Sequence, residues 1–506
     1  MLKTISPSNG HSFDVDPAEL ADTFLTLAQN VHTRKRYPSR IGGRRTAYTS
    51  STAAAIHLLS FNLAGFDWWL KVFTGGVVKA METANEYVIT PVSFGSNLNP
   101  VEISSCLLNG IPCLTNNVSA PWYWDGNSAH LLLALPNWPA STVCAAMAAF
   151  RFHLFALNIA AAAGASSNMV KWSDAAGVNT VPATWVPAAG NEAGSVILAD
   201  TPGACITALG LSQQLAVYKQ QSIFALEYVG QPNIFSQRTV VRSAGALGSH
   251  CVQEITAGGQ LAHLVLGLDD VFIYDGTAAT SIATDAIKIY LANSVDDTNG
   301  GNSYIVRLPQ RRETWICVPE KGNQFANIAH IWDEARNTWV TRDLNQTRYS
   351  AVGIVTDVTA SDIWDADAAA WDTDSAAWDE AAKRPRMLTS EAANYFVEDT
   401  SDAVVLTSRL QKLDMAFDDD TQIKMARRVW LRGTGDLASM QLRMGFRNSP
   451  DAAITWNNFV PVASPVGEGT AYEVVGRYIS IEITHLGSLP WTIDRIVIDA
   501  VYVGPY

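Results

Sequence analysis

A strand-rich module that recurs about every 50 residues restricts the fold of this 506-residue chain more than any other feature. Each module contains an apolar run, a turn, a second apolar run and an aromatic or acidic turn. The shortest spacing of the matching acidic positions is 275 − 227 = 48 residues and the longest is 333 − 275 = 58. Those positions are Asp125, Asp174, Glu227, Asp275 and Asp333. A strand-filled period of this length is typical of a four-stranded propeller blade. The sequence therefore predicts an all-β protein with a β-propeller of about five to seven blades.

Local patterns divide the chain further. In the module that ends at Tyr274, the apolar runs 261–266 and 271–274 flank a short turn and predict a hairpin. After residue 390 the alternation becomes regular, with Ile479, Ile481 and Ile483 on one face of a strand, and this predicts a β-sandwich. The predicted regions are an N-terminal arm 1–45, the propeller 46–362, a Trp-Asp repeat insertion 363–389, and a C-terminal β-sandwich 390–506 that could include final propeller strands.

The composition of the chain limits the classes of function that it can have. Charged residues make up 16% of the chain and hydrophobic residues 48%, which indicates large neutral or partner-covered surfaces. A net charge of −13 argues against a broad nucleic-acid-binding face. The apolar windows are interrupted by charged residues and histidines, and the N-terminus lacks the order of a signal peptide, so we expect no membrane span. The six cysteines form no C-x-x-C pair, which predicts neither a zinc site nor a disulfide framework and favours a reducing compartment.

A Trp-Asp pair recurs every seven residues at Trp364, Trp371 and Trp378. Seven residues are close to two helical turns, so a helix would align the three indoles in one stripe. We interpret them as contacts with the sheet or with a neighbouring subunit. Calcium binding is the alternative, but the spacing lacks the glycine and the terminal glutamate of an EF-hand loop.

The one dense basic run lies between residues 34 and 45. Its charged members are Arg34, Lys35, Arg36, Arg40, Arg44 and Arg45. The simplest interpretation is a solvated loop. The alternative, functional interpretation is that these residues contact an acidic partner subunit or passing DNA.

Other acidic and aromatic residues indicate structural turns. The segment with Asp451 and Trp456 resembles the Asp-box turn found in propellers, and Asp333 with Trp339 forms a partial second example. Asp275 ends another module. Aspartates of this kind fold back onto turn amides and perform no chemistry.

No nucleophile, metal or nucleotide motif stands out. The chain has no G-x-S-x-G, H-E-x-x-H, P-loop or dinucleotide fingerprint, and its nine histidines are isolated. We therefore predict no catalytic residues, no cofactor and no metal. Carboxylates lining a propeller channel would still permit glycosidase chemistry, so that alternative stays open.

Two long segments carry a family resemblance. They are "ACITALGLSQQLAVYKQQSIFALEYVGQP" and "RSAGALGSHCVQEITAGGQLAHLVLGLDDVFIYDGTAATSIATDAIKIYL". Together with "AQNVHTRKRYPSRIGGRR" and "VGRYISIEITHLGSLPWTIDRIVID", they resemble the tail nozzle proteins of short-tailed bacteriophages, also called tail hub or tail accessory proteins.

The resemblance implies a structural virion protein, assembled in the host cytoplasm and located in the tail. It implies a homohexameric ring that docks to the portal and head-to-tail adaptor and to needle, fibre or tailspike components, and through which DNA leaves without specific binding. Acidic chains would suit such a passage, since an anionic wall does not retain DNA. The alternatives are a carbohydrate-binding or glycoside-cleaving propeller of a phage tail and a cellular interaction scaffold.

Overall fold

The computed structural model is nearly all β. It describes residues 1–12, 16–33, 36–49, 54–82, 85–96, 98–162, 164–283, 285–356, 383–392, 394–400, 405–417, 419–462 and 468–505. Seven groups of four antiparallel strands form propeller blades, which is the upper end of the expected blade count. We name the strands of each blade A to D in order from the central axis outward. The A strands are innermost because A strands of successive blades contact one another around the ring.

The first five blades are continuous in sequence. Blade 1 contains Ala55–Leu63, Phe66–Phe73, Val78–Glu82 and Asn85–Val88. Blade 2 contains Ser104–Leu108, Ile111–Thr115, Trp122–Tyr123 and Leu133–Ala134. Blade 3 contains Thr142–Phe150, His153–Ala161, Gly164–Trp172 and Gly194–Ile197. Blade 4 contains Cys205–Leu211, Gln214–Lys219, Ile223–Tyr228 and Phe235–Val241. Blade 5 contains Val252–Ala257, Gln260–Leu266, Val271–Tyr274 and Ala279–Ser281, so the predicted hairpin lies where the alternation placed it.

Blade 6 is likewise continuous in sequence, whereas blade 7 joins distant parts of the chain. Blade 6 contains Tyr304–Leu308, Glu313–Val318, Ala326–Asp333 and Thr338–Thr347. Blade 7 contains Tyr349–Thr356, Lys383–Glu391, Asn394–Thr400 and, as its D strand, Gly43–Thr49. Because the N-terminal D strand completes a blade built from the far end of the propeller, the sheet itself closes the ring.

The 50-residue period corresponds to the blade. The five matching acidic positions all lie near the end of a C strand or within two residues after it, in blades 2 to 6. The spacing varies because connections between blades differ in length. Helix α1 (Asp285–Ser294), which lies between blades 5 and 6, accounts for the longest interval and packs Ile287 and Leu291 into their shared core.

Two further sheets form the β-sandwich. One contains six strands: Leu2–Ile5, Val31–His32, Ser39–Arg40, Gln422–Gly435, Thr470–Gly476 and Trp491–Pro505. The other contains Leu27–Gln29, Ser408–Met415, Met440–Arg447, Thr455–Trp456, Val460–Pro461 and Tyr478–His485. The second sheet continues through Leu27–Gln29 into the D strand of blade 6, which makes a ten-stranded sheet. The propeller and the sandwich therefore share one uninterrupted core along this sheet.

The predicted region boundaries differ from this architecture at three places. Residues 1–45 are not a separate arm, because their strands pair within both sandwich sheets and begin the D strand of blade 7. The insertion does not extend to 389, and the sandwich does not begin at 390, because Lys383–Glu391 and Asn394–Thr400 are blade strands. Leu2–Ile5, Leu27–Gln29 and Asn394–Thr400 have partners hundreds of residues away, which local periodicity does not reveal.

Candidate functional site

An open groove of about 640 Å³ crosses blades 3, 4 and 5. It lies at the end of the propeller where A strands turn into B strands and C strands turn into D strands. Arg151 reaches it from the A–B turn of blade 3, Gln213 from that of blade 4 and Gln260 from the start of the B strand of blade 5. The C–D turn of blade 5 contributes Asp275 and Thr277. The groove is the size of ordinary ligand pockets, which span roughly 300–1,000 Å³.

Two consecutive glutamines hold two guanidinium groups in the groove. Gln213 Oε1 accepts a hydrogen bond from Arg151 Nη2 at 2.9 Å, and Gln214 Oε1 accepts one from Arg238 Nη2 at 3.1 Å. The buried Gln214 donates through Nε2 to the carbonyl oxygen of Gly276 at 3.0 Å. Adjacent residues at the start of a strand point to opposite sides, so this pair reaches an arginine from blade 3 and another from blade 4.

The carboxylates of the groove are already engaged. Glu227 Oε1 accepts from Arg238 Nε at 3.0 Å. Asp275 Oδ1 accepts from the backbone N–H groups of Thr277 and Ala278, both at 2.8 Å, and these bonds lower the pKa of Asp275. A carboxyl group with a lowered pKa is a poor general acid at neutral pH. The groove is therefore equipped to bind a ligand, and Asp275 is poorly suited to the general-acid step of glycoside hydrolysis.

Tyr228 forms the aromatic part of the groove. The guanidinium carbon of Arg151 lies 5.0 Å from its ring centroid, and its hydroxyl donates to Glu192 Oε1 at 2.9 Å. The hydrogen bond to this carboxylate raises the pKa of Tyr228. Both contacts fix the ring at the wall, since each restrains it from a different side.

A second cluster lies at the opposite end of the propeller, where the A strands begin. The rings of His57 in blade 1 and His250, just before blade 5, stack at 5.1 Å between centroids, and Tyr349 of blade 7 lies 4.8 Å from each. His57 Nε2 also lies 2.7 Å from the hydroxyl oxygen of Ser105 in blade 2. Because blades 1 and 5 stand across the ring from each other, these contacts span the axis.

Backbone contacts reinforce this axial cluster. Ser249 Oγ donates to the carbonyl oxygen of Val101 at 3.2 Å, and His250 Nε2 lies 3.2 Å from that of Pro100. Burial lowers the pKa of His250 to about 4 and that of His57 well below its usual value, so both rings are neutral at pH 7. Among the A strands described, Glu254 and Arg307 are the only residues with charged side chains other than histidine. The axis of a single propeller is thus nearly uncharged along its wall and crossed at one end by side chains.

The described residues of the basic run between 34 and 45 form contacts within the chain. Arg44 forms a bidentate contact with the buried carboxylate of Glu391 and lies 4.4 Å from the ring centroid of Phe396. Arg40 Nε donates to the carbonyl oxygen of Gly487 at 3.2 Å, and Arg36 lies over the ring of Tyr37. The half-buried Arg45 pairs with Val397 in the blade 7 ladder. Arg34 and Lys35 lie outside the described residues.

The three repeat tryptophans, Trp364, Trp371 and Trp378, also lie outside the described residues. The residues that flank their segment can be placed. Thr356 and Lys383 are the terminal pair of the A–B ladder of blade 7. The segment therefore connects strands A and B, at the same end of the propeller as the groove.

The aspartate turns differ from one another in geometry. Asp275 caps its turn as described above, and Asp333 Oδ1 accepts from the N–H groups of Ala335 and Arg336 at 2.9 and 3.2 Å. Trp339 is buried and pairs with Trp332 of the neighbouring strand.

The Asp451 turn is held differently. Its backbone bond runs from Ala452 N–H to the carbonyl oxygen of Ser449 at 3.1 Å. Within the described residues, no hydrogen bond joins the exposed Asp451 carboxylate to the turn amides. Trp456 instead packs under Arg443, whose guanidinium carbon lies 4.6 Å from the ring centroid.

Sequence reasoning missed the groove. Arg151 interrupts an apolar window and "SQQLAVY" has the pattern of an ordinary strand, so neither segment by itself indicates a site. The signal that could have identified them is three equivalent positions in successive modules: an arginine or glutamine at each A–B turn in blades 3 to 5.

Over the described part of the chain, no group of three or more histidine, cysteine or acidic side chains is placed to hold a metal ion. In the same residues, no helix has the length and apolar character needed to cross a membrane. All six cysteines are free thiols.

No protein family model matches the chain, and no curated protein matches it. Among solved structures, it is similar to the β-propeller domain of Cps50 (Swd1) from Myceliophteria thermophila, with 8% sequence identity and a TM-score of 0.40. The similarity covers 71% of this chain and all of that domain. The description of the chain as a seven-bladed propeller rests on its own seven sheets and their closure.

Proposed function

We propose that this chain is a non-enzymatic structural subunit of a short-tailed phage tail, a nozzle protein that assembles as a homohexameric ring. The observation that carries the proposal is the resemblance of residues 204–232 and 242–291 to that family, because these segments contain three strands of blade 4, all of blade 5 and most of the helix after it. In this role the ring docks to the portal and adaptor on one side and to needle, fibre or tailspike components on the other.

Within this proposal, DNA passes between subunits. The axial cluster crosses the propeller of each chain, and the A strands around it carry almost no charge. An anionic passage therefore has to be formed by the outer surfaces of several chains around the ring axis. A net charge of −13 on each chain supports such a passage, because like charge keeps DNA from adhering.

An apolar row on the sandwich supports self-association. Met425 pairs in register with Val475 on one side and Val501 on the other, so the three side chains share one face of the six-stranded sheet. Val475 is 40% exposed and its two neighbours are half-buried. Outward apolar rows across adjacent strands mark interaction surfaces, and we place a subunit contact here.

The mass of the purified chain tests the proposal. We expect native mass spectrometry to give six copies for the wild type and smaller species for Met425→Asp, because a charge in an apolar contact is not compensated. Thr434→Asp, on an exposed site of the same strand, is the control and should retain six copies. A wild-type chain that stays monomeric at micromolar concentration would contradict the proposal.

The carbohydrate alternative contains two separate hypotheses, glycoside cleavage and carbohydrate binding. Glycoside cleavage is disfavoured at the groove because its carboxylates are engaged by Arg238 and by turn amides. Carbohydrate binding is compatible with the same geometry.

A further inference from the structure

We infer that the groove across blades 3, 4 and 5 is a binding site for an acidic oligosaccharide, with Arg151 receiving the carboxylate of an acidic sugar. The inference concerns a site separate from the apolar row of the sandwich and does not depend on the tail proposal.

The first observation that supports the inference is the unmatched charge of Arg151. Its charge is not matched by any carboxylate oxygen within 4 Å among the described residues, whereas Arg238 beside it pairs with Glu227. The contacts with Gln213 and the ring of Tyr228 orient the guanidinium and occupy one of its five N–H donors. The remaining donors can bind a carboxylate in a bidentate manner, which is the strongest contact this group makes.

The second observation is the set of hydrogen-bonding groups at the blade 5 end of the groove. Among the described residues, none donates a hydrogen bond to Asp275 Oδ2, while Oδ1 accepts the bonds of its own turn. The exposed side chain of Gln260 and the hydroxyl of Thr277 stand nearby as neutral hydrogen-bonding groups. Carboxylate and amide oxygens accept bonds from sugar hydroxyls, so this end suits a neutral part of the ligand.

The distribution of charge selects against polyphosphates. Of the described side chains that line the groove, Arg151 at the blade 3 end is the one cation without a carboxylate partner, and a lowered pKa keeps Asp275 ionised at the blade 5 end. A ligand with a phosphate on every unit would bring negative charge against Asp275. An oligosaccharide that carries a carboxylate on one unit and hydroxyl groups on the next matches both ends.

An oligosaccharide array tests the site with the full chain as it exists. The probes are oligosaccharides containing sialic, glucuronic, galacturonic or mannuronic acid, each presented beside its carboxyl methyl ester. We expect at least one acid to bind, and its ester to bind roughly ten- to a hundred-fold more weakly, since the ester cannot form the charged pair.

Two variants localise the effect. Arg151→Gln should lower the affinity for the acid by roughly the same factor and leave the weak binding of the ester unchanged. Arg312→Gln is the matched control, because Arg312 is also an exposed arginine in an A–B turn, in blade 6, with φ 54° against 53° for Arg151. It should bind like the wild type. Thermal unfolding and native mass of both variants should equal those of the wild type, which separates loss of this site from loss of fold or assembly.

Several outcomes would overturn the inference. These are the absence of binding to every acidic probe at millimolar concentration, equal binding of acid and ester, and tighter binding of a DNA or polyphosphate probe than of any sugar. Retention of acid binding by Arg151→Gln would also overturn it.

Discussion

At the scale of residues, the fold depends on buried carboxylates that are paired with arginines. Arg44 joins Glu391 across blade 7, Arg342 joins Glu398 between blades 6 and 7, and Arg409 and Arg443 converge on Glu482 in the sandwich. A buried pair is costly to break because the remaining partner stays uncompensated. These pairs therefore help to fix the architecture of the chain.

The Arg44 pair gives a direct prediction. Arg44→Ala removes the partner of the buried Glu391 and the contact with Phe396, and we expect the free energy of unfolding to fall by about 3–5 kcal/mol. Thr46→Ala, on an exposed site of the same strand, should change it by less than about 0.5 kcal/mol. Denaturant titration measures both. The combined Arg44→Leu and Glu391→Leu variant should recover most of the loss, and no recovery would count against a buried pair.

Buried histidines make stability depend on pH. Burial lowers the pKa values of His250, His263 and His330 to about 4 and that of His11 to about 3. Because the unfolded chain takes up these protons at higher pH than the folded chain does, stability is complete above about pH 7 and falls as the pH drops from 6.5 towards 4. Each such histidine can contribute up to about 2 kcal/mol of loss at pH 5.

Chemical denaturation at pH 7.5 and pH 5 checks this dependence. His263→Gln should show a smaller difference between the two values than the wild type. His130→Gln is the control, because the side chain of His130 is 53% exposed. Equal stability of the wild type at the two pH values would be the contrary result.

At the scale of elements, closure of the ring depends on close approach between blades 7 and 1. Gly353 lies in the A strand of blade 7, where an added Cβ would stand 2.1 Å from Ser60 Oγ and 2.6 Å from a ring carbon of Trp69. The Trp69 indole N–H donates to the carbonyl oxygen of Ile354 at 2.7 Å, which holds the two blades together. A side chain at residue 353 would force these blades apart.

Gly353→Ala should therefore destabilise the propeller by about 1–3 kcal/mol and open this junction first. Hydrogen exchange should show faster exchange in residues 349–356 and 55–63 than in blades 3 and 4. Gly75→Ala is the control, since no atom lies within 4 Å of its added Cβ. Unchanged exchange at the junction in Gly353→Ala would contradict closure by this contact.

The sequence predicted the propeller, the sandwich and the hairpin ending at Tyr274, because the blade repeats its pattern and strands alternate locally. It did not predict that Gly43–Thr49 completes blade 7, since the strand partners of that segment are at least 394 − 49 = 345 positions away. The groove was missed for a related reason. Arg151, Gln213 and Gln260 come from different modules, and no single segment contains the site.

The sandwich strand 478–485 differs in a smaller way from the prediction made from its alternating pattern. Ile479, Ile481 and Ile483 are buried as predicted, but Ser480 and Glu482 on the other face are buried as well. Arg409 and Arg443 neutralise Glu482 from two sides and lower its pKa. Alternation identified the strand correctly, and only the tertiary structure reveals that both of its faces are covered.

At the scale of the whole molecule, the propeller and the sandwich form one continuous body. The ten-stranded sheet joins them, and residues before 50 pair with both. We expect removal of residues 1–42 to disrupt the sandwich and not merely to shorten a tail. A single rigid subunit of this kind is suited to a ring, because a load on one part is carried through hydrogen-bonded strands to the other.

Electron microscopy of the purified, full-length assembly tests the central claim most directly. Averaged images should show six copies, each with a seven-bladed lobe whose own axis is blocked, around a wider opening on the axis of the ring. A monomer, or an assembly in which the open passage runs through the propeller of a single chain, would contradict the account.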